Sequence, residues 1–413
     1  MSEECGHLIN PDRWRERLPK DLFEALEEWM RGQGFDLEHL RWLSGKSGCY
    51  VAVVQLVPAR NMHRCAILKL LPPELALKES RGVSLAAQHS PADFFHTHMV
   101  KTRPEALPES RWWLHLQDTA HPDLGSICQL GELIDDQDFT FYCRTVISTI
   151  ATQWNDGSDD PRPTRTTVAK FLKDDLTPKL EQLEQSAAEM GIDFRGGEPD
   201  ICIPGREDAL PNPFAVLNSG LGADEEIFVF TGNGHGDLNL GNILVSTEYE
   251  TFRLIDFGRF SDHMPVSRDP SKMLMSIVER WLPDLADHSR LRSMLAALVV
   301  RPHGFHRTAA TAGYLELVRE IYIAASAWGV RRRVGQEWAR QHQLSLSASA
   351  LRTVARADLS VADRWWFLEV TALALAELLD TDRPQCGPKA PGISRHHLDS
   401  WVSSIRGIGG CMG

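Results

Sequence analysis

Two short polar strings, placed close together, constrain this chain more than any other feature of its sequence. The first, GHGDLNLGNILV, runs from Gly234 to Val245, and the second, RLIDFGRF, runs from Arg253 to Phe260. Between their polar residues, the apolar stretches NILVS and TFRLID flank the turn-like TEYE, a pattern that predicts a β-hairpin. Because a hairpin returns the chain to its starting point, both strings are predicted to converge on one place.

The polar residues that converge there suit transfer of a phosphoryl group. In such a reaction negative charge spreads over phosphate oxygens, and the protein mainly positions groups and supplies compensating charge. Asp237 is the candidate catalytic base, because a carboxylate can orient an acceptor hydroxyl and take its proton. Asn242 offers a neutral oxygen and Asp256 an anionic oxygen to Mg²⁺, which prefers hard oxygen ligands. His235 is interpreted as a structural residue that holds the loop by hydrogen bonds.

A lysine inside an apolar strand, Lys69 of CAILKLL, is the candidate ligand of the nucleotide phosphates. A lysine in such a strand either extends its ammonium group from an edge to water or points at an anionic ligand. The downstream strings favour the second interpretation. The expected partner of Lys69 is Glu79 on the following helix. Glu74 is the alternative, although a carboxylate in the first helical turn can simply interact with the helix dipole.

The segment LSGKSGCYVAVV, residues 43–54, is the candidate phosphate loop, with Gly45, Ser47 and Gly48 as binding residues. Two glycines between strands allow the backbone to approach a phosphate closely. The string GKS does not complete a Walker A motif, because its first glycine would fall at Leu40 and the segment leads into a strand. The string GNGHGD does not indicate a metallophosphoesterase either, since the upstream Asp-x-His and the further spaced histidines are not found.

The periodicity along the chain predicts a sheet followed by helices. Five stretches have the character of strands: HLRWLS, CYVAVVQLV, RCAILKLL, HMVKT and WWLHLQDTA. The helix-like segment PPELALKESRGVSLAAQ separates the third of them from the fourth. Beyond them most periodic segments are helical. The segment DFTFYCRTVISTIATQW predicts one helix, and Pro178 predicts a break in the long segment that follows.

These patterns predict an α+β chain with a small antiparallel-sheet N-terminal lobe and a large, mostly helical C-terminal lobe. The predicted parts are a helical extension (1–38), a nucleotide-binding lobe (39–120), a catalytic and acceptor-binding lobe (121–380) and a tail (381–413). An insertion of about residues 156–225 interrupts the catalytic lobe, and its portion from 193 to 225 reads as irregular.

The composition limits the classes of partner. A net charge of −12 and a pI of about 5.7 argue against a general nucleic-acid binder, which needs a basic face. The sequence contains no run of 18 apolar residues, so no membrane span is predicted. The N-terminus lacks the basic start and apolar stretch of a signal peptide. The 8 cysteines form no CxxC pair and read as reduced thiols. Together these features predict a cytoplasmic protein.

The strings HGDLNLGNILV and LIDFGR, supported by AILKLL and Glu79, resemble the aminoglycoside phosphotransferase and choline kinase branch of the protein-kinase-like fold. Within that branch the layout is similar to a bacterial subfamily called ternary-complex-associated domains. The resemblance implies a bilobal protein-kinase-like fold and the cofactors ATP and Mg²⁺. It implies Asp237 as catalytic base, Asn242 and Asp256 as metal ligands, and Lys69 on the nucleotide phosphates.

The resemblance also implies a role for Asp269, which stands where the family has a buried aspartate that braces the catalytic loop. The family continues Asp-Leu-Ala at this point, whereas this chain has RDPSKM. The long segment 156–225 lies ahead of the catalytic loop, where family members recognise acceptors. The identity of the acceptor therefore does not carry over from any one relative.

Three functions remain open on these residues. The first is an ATP- and Mg²⁺-dependent phosphotransferase that transfers the γ-phosphoryl group to a hydroxyl of a small molecule or a peptide. The second is a catalytically weak or inactive kinase-like scaffold that binds nucleotide and a protein partner in a bacterial signalling or conflict system. The weak glycine loop favours this second function, and the intact set of candidate ligands and base opposes it. The third is transfer of a nucleotidyl group from a reversed ATP.

Overall fold

The structure is a computed structural model that describes residues 7–43, 48–58, 64–118, 127–155, 163–304 and 311–379. Its strands, in chain order, are β1 (Leu8–Ile9), β2 (Phe35–Trp42), β3 (Tyr50–Pro58), β4 (Arg64–Leu71), β5 (Lys101–Ala106), β6 (Trp113–Asp118), β7 (Ile127–Gln129), β8 (Thr164–Thr167), β9 (Asp200–Cys202), β10 (Ala209–Pro211), β11 (Glu226–Val229), β12 (Thr231–Gly234), β13 (Ile243–Ser246), β14 (Thr251–Leu254) and β15 (Ser261–Pro265).

The α-helices are α1 (Pro11–Arg15), α2 (Lys20–Arg31), α3 (Pro73–His89), α4 (Ala92–His98), α5 (Phe139–Thr149), α6 (Val168–Leu176), α7 (Leu180–Glu189), α8 (Pro213–Asn218), α9 (Arg268–Trp281), α10 (Ser289–Val300), α11 (Ala312–Arg331), α12 (Gly335–Val354) and α13 (Val361–Leu378). Short 3₁₀ turns occur at Leu130–Leu133, Thr177–Lys179, Leu240–Asn242, Pro283–Leu285 and Pro302–Gly304, and a π-helical turn at Ile150–Trp154.

The chain forms two compact units. The first comprises Met1–Tyr142 and His235–Asp262, and the second comprises Cys143–Gly234 and His263–Gly413. The first unit contains a large sheet near the N-terminus, and the second is mostly helical. The predicted α+β class, with an antiparallel N-terminal sheet and a helical C-terminal region, is confirmed. The predicted limits of the lobes stay predictions.

The sheet of the first unit has the strand order β1-β2-β3-β4-β6-β5, and all its pairs are antiparallel except β1 with β2. Side chains along a strand alternate between the two faces. In β3 this alternation sends Ala52 and Val54 to one apolar cluster and Val51 and Val53 to another. The centre of the sheet is therefore buried on both faces, which explains why β3 and β4 read as nearly continuous apolar runs.

Helices α1 and α2 cover the first of these faces. The buried residues of α2 recur at helical spacing, with Leu22, Leu26 and Trp29 among them, and they pack with Leu68 and Leu114 of the sheet. The helix ends before Gly32. The range predicted as a helical extension, residues 1–38, thus contains α1 and α2 but also β1 and the start of β2, and its limits stay a prediction.

The second face lies against the predicted hairpin. Strands β13 and β14 pair in antiparallel register, with Ile243 opposite Leu254, and β7 adds a third strand beside β13. Leu244 and Ile255 of this hairpin share one apolar cluster with Ile67 of β4. The hairpin prediction is confirmed, and the face of the sheet that it meets is the one on which Lys69 lies.

Several local predictions were wrong or incomplete. A second helix, α4, follows α3 before the fourth predicted strand, and that strand begins at Lys101, within HMVKT, and extends beyond it to Ala106. The single helix predicted over DFTFYCRTVISTIATQW ends as an α-helix at Thr149 and continues as a π-helical turn. The segment 193–225 contains the β9–β10 hairpin and α8. The break predicted at Pro178 is confirmed, because a 3₁₀ turn separates α6 from α7.

The second unit is organised around α12, which packs against α9 and α13. Buried hydrogen bonds link its elements: the Gln341 amide bonds the backbone N–H and C=O of Phe230 at 2.8 and 2.9 Å. The Ser267 and Ser345 hydroxyls lie 2.7 Å apart. None of the helices described here is both long enough and apolar enough to cross a membrane.

Candidate active site

Lys69 and Glu79 form a buried ion pair. The Lys69 ammonium donates to Glu79 Oε1 over 2.7 Å, and both residues are 4% exposed. The alternation of β4 places Lys69 on the face opposite the apolar Leu68 and Leu70. On α3, Glu79 belongs to the buried stripe that also contains Ala76 and Ala86, whereas Glu74 is exposed. The structure therefore places Glu79, rather than Glu74, beside Lys69.

Two polar residues of β6 complete the surroundings of Glu79, and sequence reasoning missed both. Gln117 Nε2 donates to Glu79 Oε1 over 3.0 Å and to Thr102 Oγ1 over 3.1 Å. His115 is directly opposite Lys69 in the sheet, and its Nδ1 lies 3.9 Å from Glu79 Oε2. The sequence signal was available: WLHLQD alternates apolar and polar residues, so both polar side chains share the face of Lys69.

The charges in this cluster shift one another's pKa values. Burial alone would lower the pKa of Lys69, but the carboxylates of Glu79 and Asp256, together with the hydrogen bond to Glu79, outweigh burial and raise it. Lys69 is thus a cation at neutral pH. Burial, assisted by the charge of Lys69, lowers the pKa of His115 to about 4, so its ring is neutral there. The net positive group in this cluster is the Lys69 ammonium.

The loop after Gly234 is held by hydrogen bonds within itself. The carbonyl of Asp237 accepts from the Asn239 backbone N–H over 2.8 Å and from Asn242 Nδ2 over 2.8 Å. Since the Asn242 amide nitrogen is engaged, its amide oxygen is the group left to act as a ligand. Asp237 and Asn242 are thus joined directly. The Asp237 carboxylate also lies 3.9 Å from the Arg259 guanidinium nitrogen Nε.

His235 ties this loop to the strand end that precedes Asp256. Its ring is fully buried, Nε2 lies 2.8 Å from the Ile255 carbonyl, and Nδ1 accepts from the Asp237 backbone N–H over 3.3 Å. The two bonds together assign the Nε2-protonated tautomer. The Ile255 N–H in turn donates to the Asn242 carbonyl over 3.0 Å. This geometry fits the structural interpretation of His235.

Asp256 follows β14 in a left-handed backbone conformation, with a φ of 67°. Few non-glycine residues adopt this region, and aspartate is among those that tolerate it best. The next residue, Phe257, lies against α3: a Cβ added to Gly82 would stand 1.9 Å from the Phe257 carbonyl oxygen. Only glycine fits there, so the backbone of α3 and the backbone after Asp256 are in direct contact. Sequence reasoning missed Gly82.

Part of the predicted phosphate loop lies outside the described residues. Gly45 and Ser47 fall in the segment that the structure does not describe. Gly48 is described and has a φ of 70°, a conformation that glycine adopts without strain. The role of these three residues stays a prediction.

The donor set around Asn242 and Asp256 fits Mg²⁺. One amide oxygen and one carboxylate are hard ligands, and Mg²⁺ commonly uses one or two protein ligands together with water and substrate phosphates. Among the residues that the structure describes, no group of three or more His, Cys, Asp or Glu side chains is arranged to hold a metal by itself. A metal at these residues would therefore take its remaining ligands from water and from the nucleotide phosphates.

Asp269 lies in the second unit, in the first turn of α9, and is 2% exposed. Its Oδ2 is 3.5 Å from the position that a Cβ would take on Gly234, the residue just before the loop that contains Asp237. The burial expected of this aspartate is present. Its bracing role stays a prediction.

Parts of the chain are similar to known proteins. The family model of ternary complex associated domain 9 matches residues 200–356, a segment that includes Asp237, Asn242 and Asp256. The chain is 11% identical to an ethanolamine kinase of Plasmodium vivax, with 89% of this chain and 87% of that chain covered and a TM-score of 0.37. It is 10% identical to a spectinomycin phosphotransferase solved with ADP and spectinomycin, with 88% and 99% covered and a TM-score of 0.28. No curated protein sequence matches.

Proposed function

We propose that this protein is an ATP- and Mg²⁺-dependent phosphotransferase that transfers the γ-phosphoryl group to a hydroxyl of a small molecule or a peptide. The observation that carries the proposal is the buried Lys69–Glu79 pair, whose charges are coupled to Asp256 in the unit that also holds the Asp237–Asn242 loop. A buried cation, two oxygen ligands and a carboxylate at the loop are the parts that phosphoryl transfer requires.

Each residue has a role set by its surroundings. Lys69 binds the nucleotide phosphates, and Glu79 holds its ammonium in place while Gln117 holds Glu79. Asn242 and Asp256 would hold Mg²⁺, which when bound supplies positive charge to the phosphate oxygens. Asp237 orients the acceptor hydroxyl and takes its proton.

The scaffold function is the second candidate, and the incomplete glycine loop favours it, because only Gly48 and Gly45 supply glycines there. It predicts nucleotide binding without transfer. The third candidate, nucleotidyl transfer, predicts that the acceptor gains a nucleotide rather than a phosphate. We further propose that the chain is related to the ternary-complex-associated domains and acts in the cytoplasm with a protein or small-molecule partner.

The experiment that tests the proposal has two steps. Binding of a non-hydrolysable ATP analogue is measured by calorimetry with and without Mg²⁺, and we expect Mg²⁺ to tighten binding. The protein is then incubated with Mg²⁺, ATP and a panel of hydroxyl-bearing small molecules and peptides, and the products are weighed by mass spectrometry. A product carrying one added phosphate supports the proposal. An added nucleotide, or nucleotide binding that Mg²⁺ leaves unchanged, contradicts it.

A further inference from the structure

Gln129, at the end of β7, lies beside the metal-binding loop although it is distant from it in sequence. It is 8% exposed and pairs with Leu244 of β13 in the three-stranded sheet. Its side chain contacts the loop directly, because Nε2 donates to the Gly241 carbonyl over 2.9 Å. None of the roles assigned above involves this residue.

Both ends of the Gln129 amide are engaged. Its oxygen accepts from the backbone N–H of Glu132, and the Glu132 carboxylate accepts from the Gln129 backbone N–H over 3.1 Å, which forms a capping box. The same carboxylate is bound by Arg41 over 2.8 Å. The side chain of Gln129 therefore cannot rotate without losing a bond at one end, and its Nε2 is fixed toward Gly241.

The Gly241 peptide that Gln129 holds lies directly before Asn242. The Gly241 N–H donates to Asn239 Oδ1 over 2.9 Å, so this residue is fixed at its N–H by the loop and at its carbonyl by Gln129. The carbonyl of Gly241 and the nitrogen of Asn242 belong to one rigid peptide plane. A hydrogen bond to that carbonyl thus sets the direction in which the chain enters Asn242.

We propose that Gln129 is a positioning residue for the metal site: its amide fixes the Gly241–Asn242 peptide and thereby orients the Asn242 side chain as an oxygen ligand. The inference rests on the proposed function, because it takes Asn242 as a ligand of Mg²⁺. Partners that orient metal ligands from outside the coordination shell commonly change metal affinity by about 10- to 100-fold when replaced.

The test exchanges amide and carboxylate at two neighbouring positions. Gln129→Glu keeps an oxygen that accepts from the Glu132 N–H. It replaces the amide nitrogen that faces the Gly241 carbonyl by a carboxylate oxygen, and the two oxygens repel each other. Glu132→Gln is the matched control, since it makes the reverse exchange within the same capping box and leaves Gly241 untouched. Gln129→Met, which has a similar length and no amide, serves as a second variant if Gln129→Glu does not fold.

The first readout is the Mg²⁺ concentration that half-saturates binding of a non-hydrolysable ATP analogue. We expect Gln129→Glu to raise it by about tenfold or more, while affinity for the analogue without Mg²⁺ stays within about twofold. Glu132→Gln should leave both quantities unchanged. An unaltered Mg²⁺ response in Gln129→Glu and Gln129→Met overturns the inference, as does equal weakening with and without Mg²⁺.

The second readout needs neither metal nor nucleotide. Amide hydrogen exchange over residues 237–242 of the metal-free protein should be faster in Gln129→Glu than in the wild type and in Glu132→Gln, while exchange in α2 stays the same. Exchange over 237–242 that matches the wild type contradicts a positioning role. If the wild-type protein itself shows no Mg²⁺ effect on nucleotide binding, the proposed function fails and the inference fails with it. A Mg²⁺ effect in the wild type that Gln129→Glu retains removes only the inference.

Discussion

At the scale of single residues, the proposed ligands and base are fixed by contacts that do not depend on a bound nucleotide. Asp256 is held in a left-handed conformation, the Asn242 amide nitrogen is bonded to the Asp237 carbonyl, and Glu79 is bonded to two side chains. A strained backbone at a residue with a proposed chemical role is an arrangement that surrounding structure must maintain. Such preorganisation is what electrostatic catalysis of phosphoryl transfer uses.

The backbone of Asp256 decides which substitution tests its role as a metal ligand. Alanine in this conformation would cost roughly 1 kcal/mol, whereas asparagine tolerates it and keeps the size of the side chain. We expect Asp256→Asn to remove the strengthening of nucleotide binding by Mg²⁺ while changing the free energy of unfolding by less than about 1 kcal/mol. Calorimetric titration of an ATP analogue at several Mg²⁺ concentrations measures the first quantity, and denaturant unfolding measures the second. A wild-type Mg²⁺ response in this variant would refute the assignment.

The pair of glutamates on α3 offers a matched comparison. Glu79→Gln leaves the buried Lys69 ammonium without the carboxylate that contacts it, so we expect a loss of stability on the order of 3 kcal/mol and weaker nucleotide binding. Glu74→Gln changes an exposed residue in the first helical turn and should alter neither quantity appreciably. Urea unfolding and nucleotide titration of both variants measure the difference. If Glu74→Gln were the damaging change, Glu79 would not be the working partner of Lys69.

At the scale of secondary-structure elements, α3 and the segment after β14 behave as one packed element. The Gly82 position on α3 is filled by the Phe257 carbonyl, so Glu79 and Asp256 are carried by backbones in contact. A shift of the helix must therefore displace the segment that holds the proposed metal ligand. This contact links the Lys69–Glu79 pair to the proposed metal ligand Asp256 through the main chain.

Whether Gly82→Ala raises or lowers the free energy of unfolding tests this contact. In an exposed helix interior, alanine in place of glycine stabilises by up to about 1 kcal/mol. Here the added methyl would stand 1.9 Å from a carbonyl oxygen, so we expect a loss of about 1–3 kcal/mol and weaker Mg²⁺-dependent nucleotide binding. Ser84→Ala, at an exposed position of α3, is the control and should not destabilise. Stabilisation by Gly82→Ala, measured by denaturant unfolding, would show that the helix is free to move away.

A buried charge cluster joins three helices of the second unit and predicts a dependence on pH. Asp175 of α6 accepts from Arg352 Nε of α12 over 2.7 Å and pairs with Arg268 of α9. Burial raises the pKa of Asp175, but the two arginines outweigh it and hold the pKa below its ordinary value of 3.8. Because the folded-state pKa of Asp175 is lowered, its ion pairs with the two arginines stabilise the fold above pH 3.8. This contribution is lost as the pH falls through the folded-state pKa.

We expect Asp175→Asn to reduce the free energy of unfolding by about 3 kcal/mol at pH 7, because two arginines lose their buried partner. The difference from the wild type should persist down to about pH 5 and shrink below pH 4. Asp174→Asn, which alters an exposed pair with Lys170, is the control and should have little effect. Denaturant unfolding at pH 7, 5 and 3 measures the difference. A difference between Asp175→Asn and the wild type that grows on acidification would contradict the direction of the shift.

How much the sequence could predict also differs between elements. The apolar strand around Lys69 and the hairpin between the two strings are patterns of local sequence, and both predictions are confirmed. The roles of Gln129 and Gly82 were not predicted, because they depend on which backbone segment lies next to each residue in the fold. Their neighbours, Gly241 and Phe257, are more than a hundred residues away in sequence. The short helix α4 was not predicted because the polar and aromatic residues of ADFFHTH form no clear apolar stripe at helical spacing.

At the scale of the whole molecule, the described site residues come from two separate stretches of chain. Gly48, Lys69 and Glu79 precede the segment Cys143–Gly234, which belongs to the second unit, and the loop and Asp256 follow it. All of them lie in the first unit. The segment Cys143–Gly234 of the other unit therefore separates the two stretches in sequence. Recognition of the acceptor by the predicted lobe 121–380 stays a prediction.

The measurement that tests the central claim most directly compares γ-phosphoryl transfer by the wild type and by Asp237→Asn at saturating Mg²⁺ and ATP. Transfer is followed to water and to the acceptor panel, and nucleotide affinity is measured in parallel by calorimetry. Because the variant keeps the size of the side chain and loses its basicity, we expect nearly unchanged ATP affinity and a kcat lower by a factor on the order of 10²–10⁴. Equal rates in the two proteins, whether both measurable or both absent, would contradict the claim that Asp237 makes this protein a phosphotransferase.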